Sequence, residues 1–144
     1  MKTLLSSLTL SLASLTCASA YAVGSTNPAV TQDNISRTIC TSGYTATIRP
    51  SVTYTNSIKK AELLAKGLSW KDAPQYELDH IVPLEVGGHP SHIENLAIQS
   101  WVGASGAHVK DALETRVKKL VCAGKISLVE GQQCFLAGWE TCKY

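Results

Sequence analysis

The spacing of hydrophobic residues along the chain predicts three helices. The longest follows the glycine-rich segment 103–106 and ends at Gly124. Its hydrophobic residues recur three or four positions apart and so share one face: Val109, Ala112, Leu113, Val117, Leu120 and Val121. A shorter helix is predicted over 56–66, where Asn56 can act as its N-cap. The third is predicted over 127–136, because it opens with the S-x-x-E spacing of a capping box.

Two short apolar runs between these helices predict a β-hairpin. Residues 78–86 form the first run, Gly87-Gly88-His89-Pro90 forces a turn, and residues 96–98 form the second run. A further extended segment is predicted over 39–55, because its threonine, valine and tyrosine residues favour strands, with an interruption at Pro50. Helices and a hairpin together predict an α+β fold.

The first twenty residues have the pattern of a signal peptide. Lys2 provides the positive start, residues 4–15 are apolar, and Ala18-Ser19-Ala20 is an A-x-A cleavage site. The apolar stretch is shorter than the ~20 residues that a bilayer span needs, although a short membrane anchor is the alternative. We therefore expect a secreted or periplasmic protein that begins at Tyr21 and has no membrane attachment after cleavage.

Length and composition are those of one folded domain. The chain has 144 residues, of which 44% are hydrophobic and 17% charged, with a net charge of +2. The hydrophobic share excludes a disordered chain, and the charge is too small to indicate nucleic-acid binding by itself. We expect a loose polar arm over 21–38 and a folded domain over 39–144.

The cysteines of the mature chain indicate disulfides. Removal of the signal peptide takes away Cys17 and leaves an even number: Cys40, Cys122, Cys134 and Cys142. In an exported chain of this size, four cysteines predict two disulfides. A zinc site is the alternative, but the sequence has no C-x-x-C spacing.

The candidate chemistry is concentrated around the predicted hairpin. Asp79-His80 lies in the first run, Asn95 begins the second, and His108 lies at the predicted start of the longest helix. A carboxylate and an imidazole can hold a divalent metal, and another imidazole can then act as a base. Asp79 and His80 share a face only if the strand bends there. A structural hairpin in which the two merely pair with each other is the alternative.

The residues around these side chains resemble the HNH endonucleases. The likeness rests on Tyr76-Glu77-Leu78-Asp79-His80-Ile81-Val82-Pro83-Leu84-Glu85-Val86-Gly87-Gly88, on Glu94-Asn95-Leu96 and on His108-Val109-Lys110-Asp111. Flanking segments are similar to those of small exported bacterial nucleases of this family: Cys40-Thr41-Ser42-Gly43-Tyr44, Ile48-Arg49-Pro50, Val121-Cys122-Ala123-Gly124 and Glu130-Gly131-Gln132. The resemblance covers about residues 39–139.

The resemblance implies a ββα-metal core, in which a hairpin is followed by a helix, with additional helices around it. By position, His80 matches the general base that activates water, and Asp79 and His108 match the metal ligands. Asn95 matches the asparagine that orients the base or supports the hairpin loop through hydrogen bonds. The implied cofactor is one divalent metal ion, Mg²⁺, with Mn²⁺ or Ni²⁺ as alternatives. His89 and His92 in the loop are reserve ligands.

Two further expectations follow once the motif is placed. The disulfides are predicted as Cys40–Cys122, which flanks the motif, and Cys134–Cys142, which is local.

Residues 110–125 carry five basic and two acidic residues, whereas 71–95 carry one basic and five acidic. A basic helix beside an acidic hairpin fits a phosphate track next to a metal site, although a solvated helix face is the alternative. Lys110 and then Arg49 are the predicted phosphate contacts.

The sequence thus predicts an exported, metal-dependent endonuclease that hydrolyses phosphodiester bonds of DNA. Because no base-reading element is evident, low sequence specificity is expected. Two alternatives stay open: a non-catalytic, metal-stapled nucleic-acid-binding domain, and an RNA-preferring nuclease with the same mechanism. An inhibitor protein that protects the producing cell is compatible with this function, but no residue indicates one.

Overall fold

The computed structural model describes residues 24–144, so the predicted signal peptide and its cleavage site lie outside the described residues. Four α-helices are present in this part of the chain: α1 (Tyr44–Ile48), α2 (Val52–Ala65), α3 (Ala107–Cys122) and α4 (Leu128–Leu136). Two strands, β1 (Tyr76–His80) and β2 (Leu96–Ser100), form one antiparallel sheet. The protein is therefore an α+β protein, as predicted. Within residues 24–144 no helix is both long and apolar enough to cross a bilayer.

The extended segment predicted over 39–55 is wrong, because α1 and the start of α2 occupy it. Ser51 caps α2, with its hydroxyl accepting a hydrogen bond from the backbone N–H of Tyr54 at 3.3 Å. Pro50 lies just before this cap and so ends α1 without interrupting α2. Strand propensity over this segment is overridden by the cap and by burial of Ile58 and Leu63 on α2. Asn56 lies inside the helix and does not cap it.

The hairpin is present and the two later helices agree with the sequence, but the extended run predicted over 78–86 is too long, since β1 ends at His80 and Leu84–Val86 form a 3-10 turn. Tyr76 pairs with Ser100 and His80 with Leu96 at the two ends of the sheet. α3 begins directly after Gly106, and Gly124 just past its end adopts a φ of +64°, which suits glycine. α4 begins with the predicted capping box of Ser127 and Glu130.

Two hydrophobic clusters of unequal size lie on the two sides of the hairpin. The larger contains Val82, Val86, Val117, Val121 and Phe135 and joins the hairpin loop to α3 and α4. The smaller contains Leu63, Ala73 and Ile98, with Leu78 packed against it, and joins α2 to the hairpin. Most of the buried apolar surface, and with it most of the hydrophobic stabilisation, therefore lies on the α3 side.

Both predicted disulfides are present in the structure. Cys40–Cys122 ties the segment before α1 to the C-terminal end of α3, with a sequence separation of 82. Cys134–Cys142 ties α4 to the C-terminal segment, with a separation of 8. Both bridges therefore reinforce the side of the molecule that holds the larger cluster.

The segment before the domain, predicted as a loose arm, instead packs on the hairpin loop. Thr26 pairs with Gly88 in an antiparallel bridge, and Ser25 accepts a hydrogen bond from the backbone N–H of His89 at 2.8 Å. Val30 is 5% exposed and belongs to the larger cluster. The polar composition concealed this role, because backbone groups make most of the contacts.

Candidate functional site

The two neighbours Asp79 and His80 lie on opposite faces of the hairpin. Successive side chains on a strand point to opposite faces, and Leu78 packs against the cluster that α2 shares with the sheet. His80, two residues further on, therefore lies on the α2 face. Asp79 lies on the other face, where its carboxylate meets Lys110 of α3 at 2.8 Å. No hydrogen bond joins the Asp79 carboxylate to the His80 ring, although both residues line a small cavity of about 50 Å³ together with Arg49, Glu77 and Asp111.

His80 is held as a buried imidazole in one defined tautomer. It is 7% exposed, and its Nε2 lies 2.9 Å from the carbonyl oxygen of Pro90. Because a carbonyl can only accept, Nε2 carries the hydrogen, which leaves the lone pair of the neutral ring on Nδ1. Burial lowers the pKa of His80 below its usual value, against the opposing influence of the Pro90 hydrogen bond and the Asp79 charge. The ring is thus kept neutral and oriented, as a general base must be.

Asn95 holds the hairpin loop together. It is fully buried, and its amide oxygen accepts hydrogen bonds from the backbone N–H groups of Ser25 and Val82 at 3.1 and 2.9 Å. Its amide nitrogen donates to the carbonyl oxygens of Val82 and His89 at 3.0 and 2.9 Å. All four hydrogen-bonding positions of the amide are used. Of the two roles implied by the resemblance, the structure shows support of the loop, and no hydrogen bond joins Asn95 to the His80 ring.

Lys110 lies in the interior and is not placed as a phosphate contact. Its side chain is 3% exposed, and its ammonium donates to Asp79, to the carbonyl oxygen of His80 and to Glu114. These three hydrogen bonds use every donor of the ammonium. The interpretation of Lys110 as a phosphate ligand is therefore corrected, because an anion would have to displace these partners.

The partners of Lys110 form a buried site with one positive and two negative groups. Burial, which outweighs the attraction of Lys110, raises the pKa of Glu114 to about 7, and the neighbouring Asp79 charge acts in the same direction. One ammonium shared by two carboxylates leaves one acid partly protonated near neutral pH. The i,i+4 spacing of Glu114 and Lys118 on the predicted helix favours an ion pair between them, but Lys118 pairs instead with Glu85 at 3.1 Å.

The predicted metal ligands do not fit a metal ion in this arrangement. Their donor types suit a divalent cation, but Asp79 is engaged by Lys110 and by the backbone N–H of His80 at 2.7 Å. His108 is exposed at the start of α3 and stacks on Trp101, with ring centroids 5.2 Å apart. Within residues 24–144 no three histidine, cysteine or acidic residues are grouped to hold a metal ion. The Mg²⁺ expectation stays a prediction.

The reserve ligands His89 and His92 belong to the loop and lie beside each other. The Nδ1 atom of His89 accepts hydrogen bonds from the backbone N–H groups of Ser91 and His92 at 3.3 and 3.0 Å. His92 lies 3.7 Å from the Glu94 carboxylate, and both side chains are at least half exposed. His89 therefore shapes the turn that carries Pro90, the hydrogen-bond partner of His80.

A polar cavity of about 270 Å³ opens between α2 and the hairpin, and His80 lines it. We call it the α2 cavity. Its lining includes six polar or charged side chains: Arg49, Thr55, Asn56, Lys59, Glu77 and His80. Burial, together with the charges of Asp79 and Asp111, raises the pKa of Glu77 to about 7. Glu77 shares the Asp79 side of β1 and lines both the α2 cavity and the smaller cavity beside Asp79 and Asp111. Near neutral pH the α2 cavity therefore has two cations, Arg49 and Lys59, and one partly neutralised acid at its edge.

The sequence indicated some of these residues and missed others. Arg49 was named as a phosphate contact, and the structure places it at this cavity. Asn56 and Lys59 were missed, because α2 was predicted to start four residues late and its inward polar face was not recognised. Glu114 was missed as a partner of Lys110, although the two lie four residues apart on a helix, a spacing that favours an ion pair.

Comparison with known proteins gives no match, whether with protein-family models, with curated proteins or with solved structures. The interpretation of the site therefore depends on its residues and their geometry alone.

Proposed function

We propose that the protein is an exported endonuclease that hydrolyses phosphodiester bonds of DNA with His80 as general base. The observation that carries the proposal is the state of His80: buried, neutral, hydrogen-bonded through Nε2 to Pro90, and therefore basic at Nδ1. This arrangement is what abstraction of a proton from water needs. The hairpin followed by α3 is compatible with the ββα core that the sequence resembles.

The loop around the base supports this role. Asn95 fixes the carbonyl of His89, and the next residue, Pro90, orients the imidazole. The N-terminal segment adds hydrogen bonds to the same loop through Ser25. A base held by a rigid loop loses little orientational freedom during reaction, which lowers the barrier. The attacking water would lie on the Nδ1 side of the ring, and its proton would pass to Nδ1 as its oxygen forms a bond to phosphorus. The bond from phosphorus to the leaving 3′ oxygen would break, and that oxygen would take up a proton from solvent water.

The metal dependence is proposed on the resemblance and not on the geometry. When bound, a divalent cation supplies charge stabilisation to the phosphoryl oxygens and the leaving group. In this structure the positive charges beside the base belong to Lys110, Arg49 and Lys59. Digestion with and without divalent metal tests whether a metal is also needed.

Digestion of supercoiled plasmid and of RNA by the purified, disulfide-bonded protein tests the proposal. The reactions are run with Mg²⁺, Mn²⁺, Ni²⁺ or a chelator, using wild type, His80→Ala and the matched control His92→Ala. We expect cleavage of DNA by wild type and by the control, and its loss in His80→Ala. Faster cleavage of RNA than of plasmid would make RNA, and not DNA, the proposed substrate. Binding without cleavage under every condition would favour the non-catalytic alternative.

A further inference from the structure

Most cations that the sequence offered for a phosphate track have other partners. Lys110 is buried among Asp79 and Glu114, and Lys118 pairs with Glu85 at 3.1 Å. Arg116 donates to the carbonyl oxygen of Tyr144 at 3.0 Å. The negative charge of a substrate near His80 therefore calls for cations from another element.

The face of α2 toward the hairpin supplies such a set. Val52, Thr55, Asn56 and Lys59 follow one another at positions i, i+3, i+4 and i+7, so they share one face of the helix, and all four line the α2 cavity. An amphipathic helix ordinarily turns apolar residues toward its sheet. Here the part of the face nearest His80 is polar and partly exposed, so it offers hydrogen-bonding groups to a polar ligand in the cavity.

Two side chains that line the α2 cavity are without partners in the described part of the chain. Arg49 is exposed at the mouth of the cavity, and no hydrogen bond or ion pair to its guanidinium is formed within residues 24–144. The amide of Asn56 is half-buried and likewise forms no side-chain hydrogen bond there. Lys59 uses one of its donors on the carbonyl oxygen of Tyr76 at 2.7 Å and keeps two. The cavity thus presents unused donors beside the base.

We propose that the α2 cavity binds a phosphate group of the nucleic-acid strand, with Arg49 and Lys59 as cations and Asn56 as a neutral donor. The proposal rests on the proposed function, because it is the presence of His80 in the same cavity that makes the ligand a substrate strand. A guanidinium binds a phosphate through two parallel hydrogen bonds, and an ammonium and an amide complete its coordination. The substrate track therefore runs along α2 and not along α3.

Equilibrium binding without catalysis tests the assignment. A short fluorescein-labelled single-stranded DNA is titrated with protein in chelator, and anisotropy is measured over a series of salt concentrations. Arg49→Gln removes one cation, and Asn56→Asp adds an opposing charge at nearly constant shape. Arg37→Gln and Gln133→Glu make the same charge changes at exposed positions of the 32–37 turn and of α4, which pack against each other.

Each cavity variant should weaken binding about 5-fold near 0.1 M salt, because loss of one phosphate contact reduces the slope of log affinity against log salt by ~0.7 for a single strand. The two controls should bind as wild type does. Circular dichroism and the thermal midpoint check that all four variants fold. Equal affinities of the cavity variants and the controls would overturn the assignment of the cavity.

Two further results separate this inference from the proposed function. If wild type cuts plasmid while the cavity variants bind and cut normally, the function survives and the cavity assignment fails. If the cavity variants lose binding but wild type cuts neither DNA nor RNA, the binding site stands and the catalytic proposal fails. Competition by inorganic phosphate as strong, per phosphate, as that by unlabelled DNA would overturn the nucleic-acid assignment.

Discussion

The two faces of the hairpin differ in what their charged groups do. On the α3 face, Lys110 uses all its donors on Asp79, Glu114 and the carbonyl oxygen of His80, so this ammonium is fully engaged by the protein. On the α2 face, Arg49 and Asn56 lack partners within the described residues, and the cavity beside them holds His80. Buried charges that satisfy one another are costly to separate, whereas charges and amides left without partners are available for a ligand.

The packing follows the same division. The larger hydrophobic cluster and both disulfides belong to the α3 and α4 side, whereas Leu63, Ala73 and Ile98 make a small cluster under α2. We therefore expect substitutions on the α3 face to change the free energy of unfolding. Substitutions on the α2 face should change cleavage and binding at nearly constant stability. The predictions below test this division.

The largest effect is expected from His80→Ala. Loss of a positioned general base should slow cleavage by ~10²–10⁴-fold, while the thermal midpoint shifts little beyond the effect of a small buried cavity. His92→Ala, in the exposed part of the same loop, is the control and should cut at the wild-type rate. Plasmid nicking under single-turnover conditions measures both. Equal rates for the two variants would remove His80 from the mechanism.

Asp79→Asn distinguishes the role implied by the resemblance from the role seen in the structure. A metal ligand would give a variant whose lost activity returns in part at high metal concentration. A partner of Lys110 would give a variant that is less stable and whose lost activity no metal concentration restores. Metal titration by calorimetry beside urea unfolding separates the two. From the contacts of Asp79 with Lys110 and with the backbone of His80 we expect the second outcome.

The largest effects on stability are expected from the disulfides. In the chain-entropy description, removal of Cys40–Cys122 lowers the free energy of unfolding by about 4.5 kcal/mol and removal of Cys134–Cys142 by about 2.6 kcal/mol, both at the upper end. The double serine variants, unfolded in urea without reductant, give the two values. A larger loss for the short bridge would contradict the expectation. Peptide mapping that links Cys40 to Cys134 or Cys142 would overturn the pairing itself.

Sequence reasoning succeeded where a local rule determines the structure. The capping box of Ser127, the glycine that ends α3 and the hairpin of two apolar runs around a glycine-containing loop all depend on nearby residues. It failed at α2, because threonine and valine propensities favoured a strand and only the Ser51 cap and tertiary packing decide otherwise. Alternation along β1 was enough to separate Asp79 from His80, yet their adjacency suggested one shared site.

A smaller loss of stability is expected from removal of the buried cation. Lys110→Met leaves Asp79 and Glu114 without their shared partner, and a buried acid that loses its cation typically costs ~3–5 kcal/mol. We expect the lower end, about 3 kcal/mol, because a protonated Glu114 avoids part of the cost. Urea unfolding at pH 7 measures the change.

Lys118→Met supplies the matched comparison on the same helix. The pair that Lys118 makes with Glu85 is more than a quarter exposed on both sides, so its loss should cost at most ~1 kcal/mol. If the Lys110 variant were no less stable than the Lys118 variant, the contacts of Lys110 with Asp79 and Glu114 would not be stabilising the fold. Lys110 would then again be a candidate for substrate contact.

The smallest effect is the pH dependence, which separates two titrating groups of the α2 cavity. Burial lowers the pKa of His80 below its usual 6.5, so the ring stays neutral down to that pH and kcat should hold from pH 8 to 6.5. Below 6.5, kcat should fall by at most about tenfold per pH unit as Nδ1 is protonated. Stability falls in the same range, because unfolded histidine binds the proton more readily, so circular dichroism must confirm the fold at each pH.

The pKa of Glu77 is raised to about 7, so acidification from pH 8 to 6 removes a negative charge beside the substrate phosphate and should lower KM. Glu77→Gln should abolish this trend in KM and leave the fall of kcat in place. A flat kcat from pH 5 to 8 in folded protein would count against His80, and with it the α2 face of the hairpin, as the source of the base.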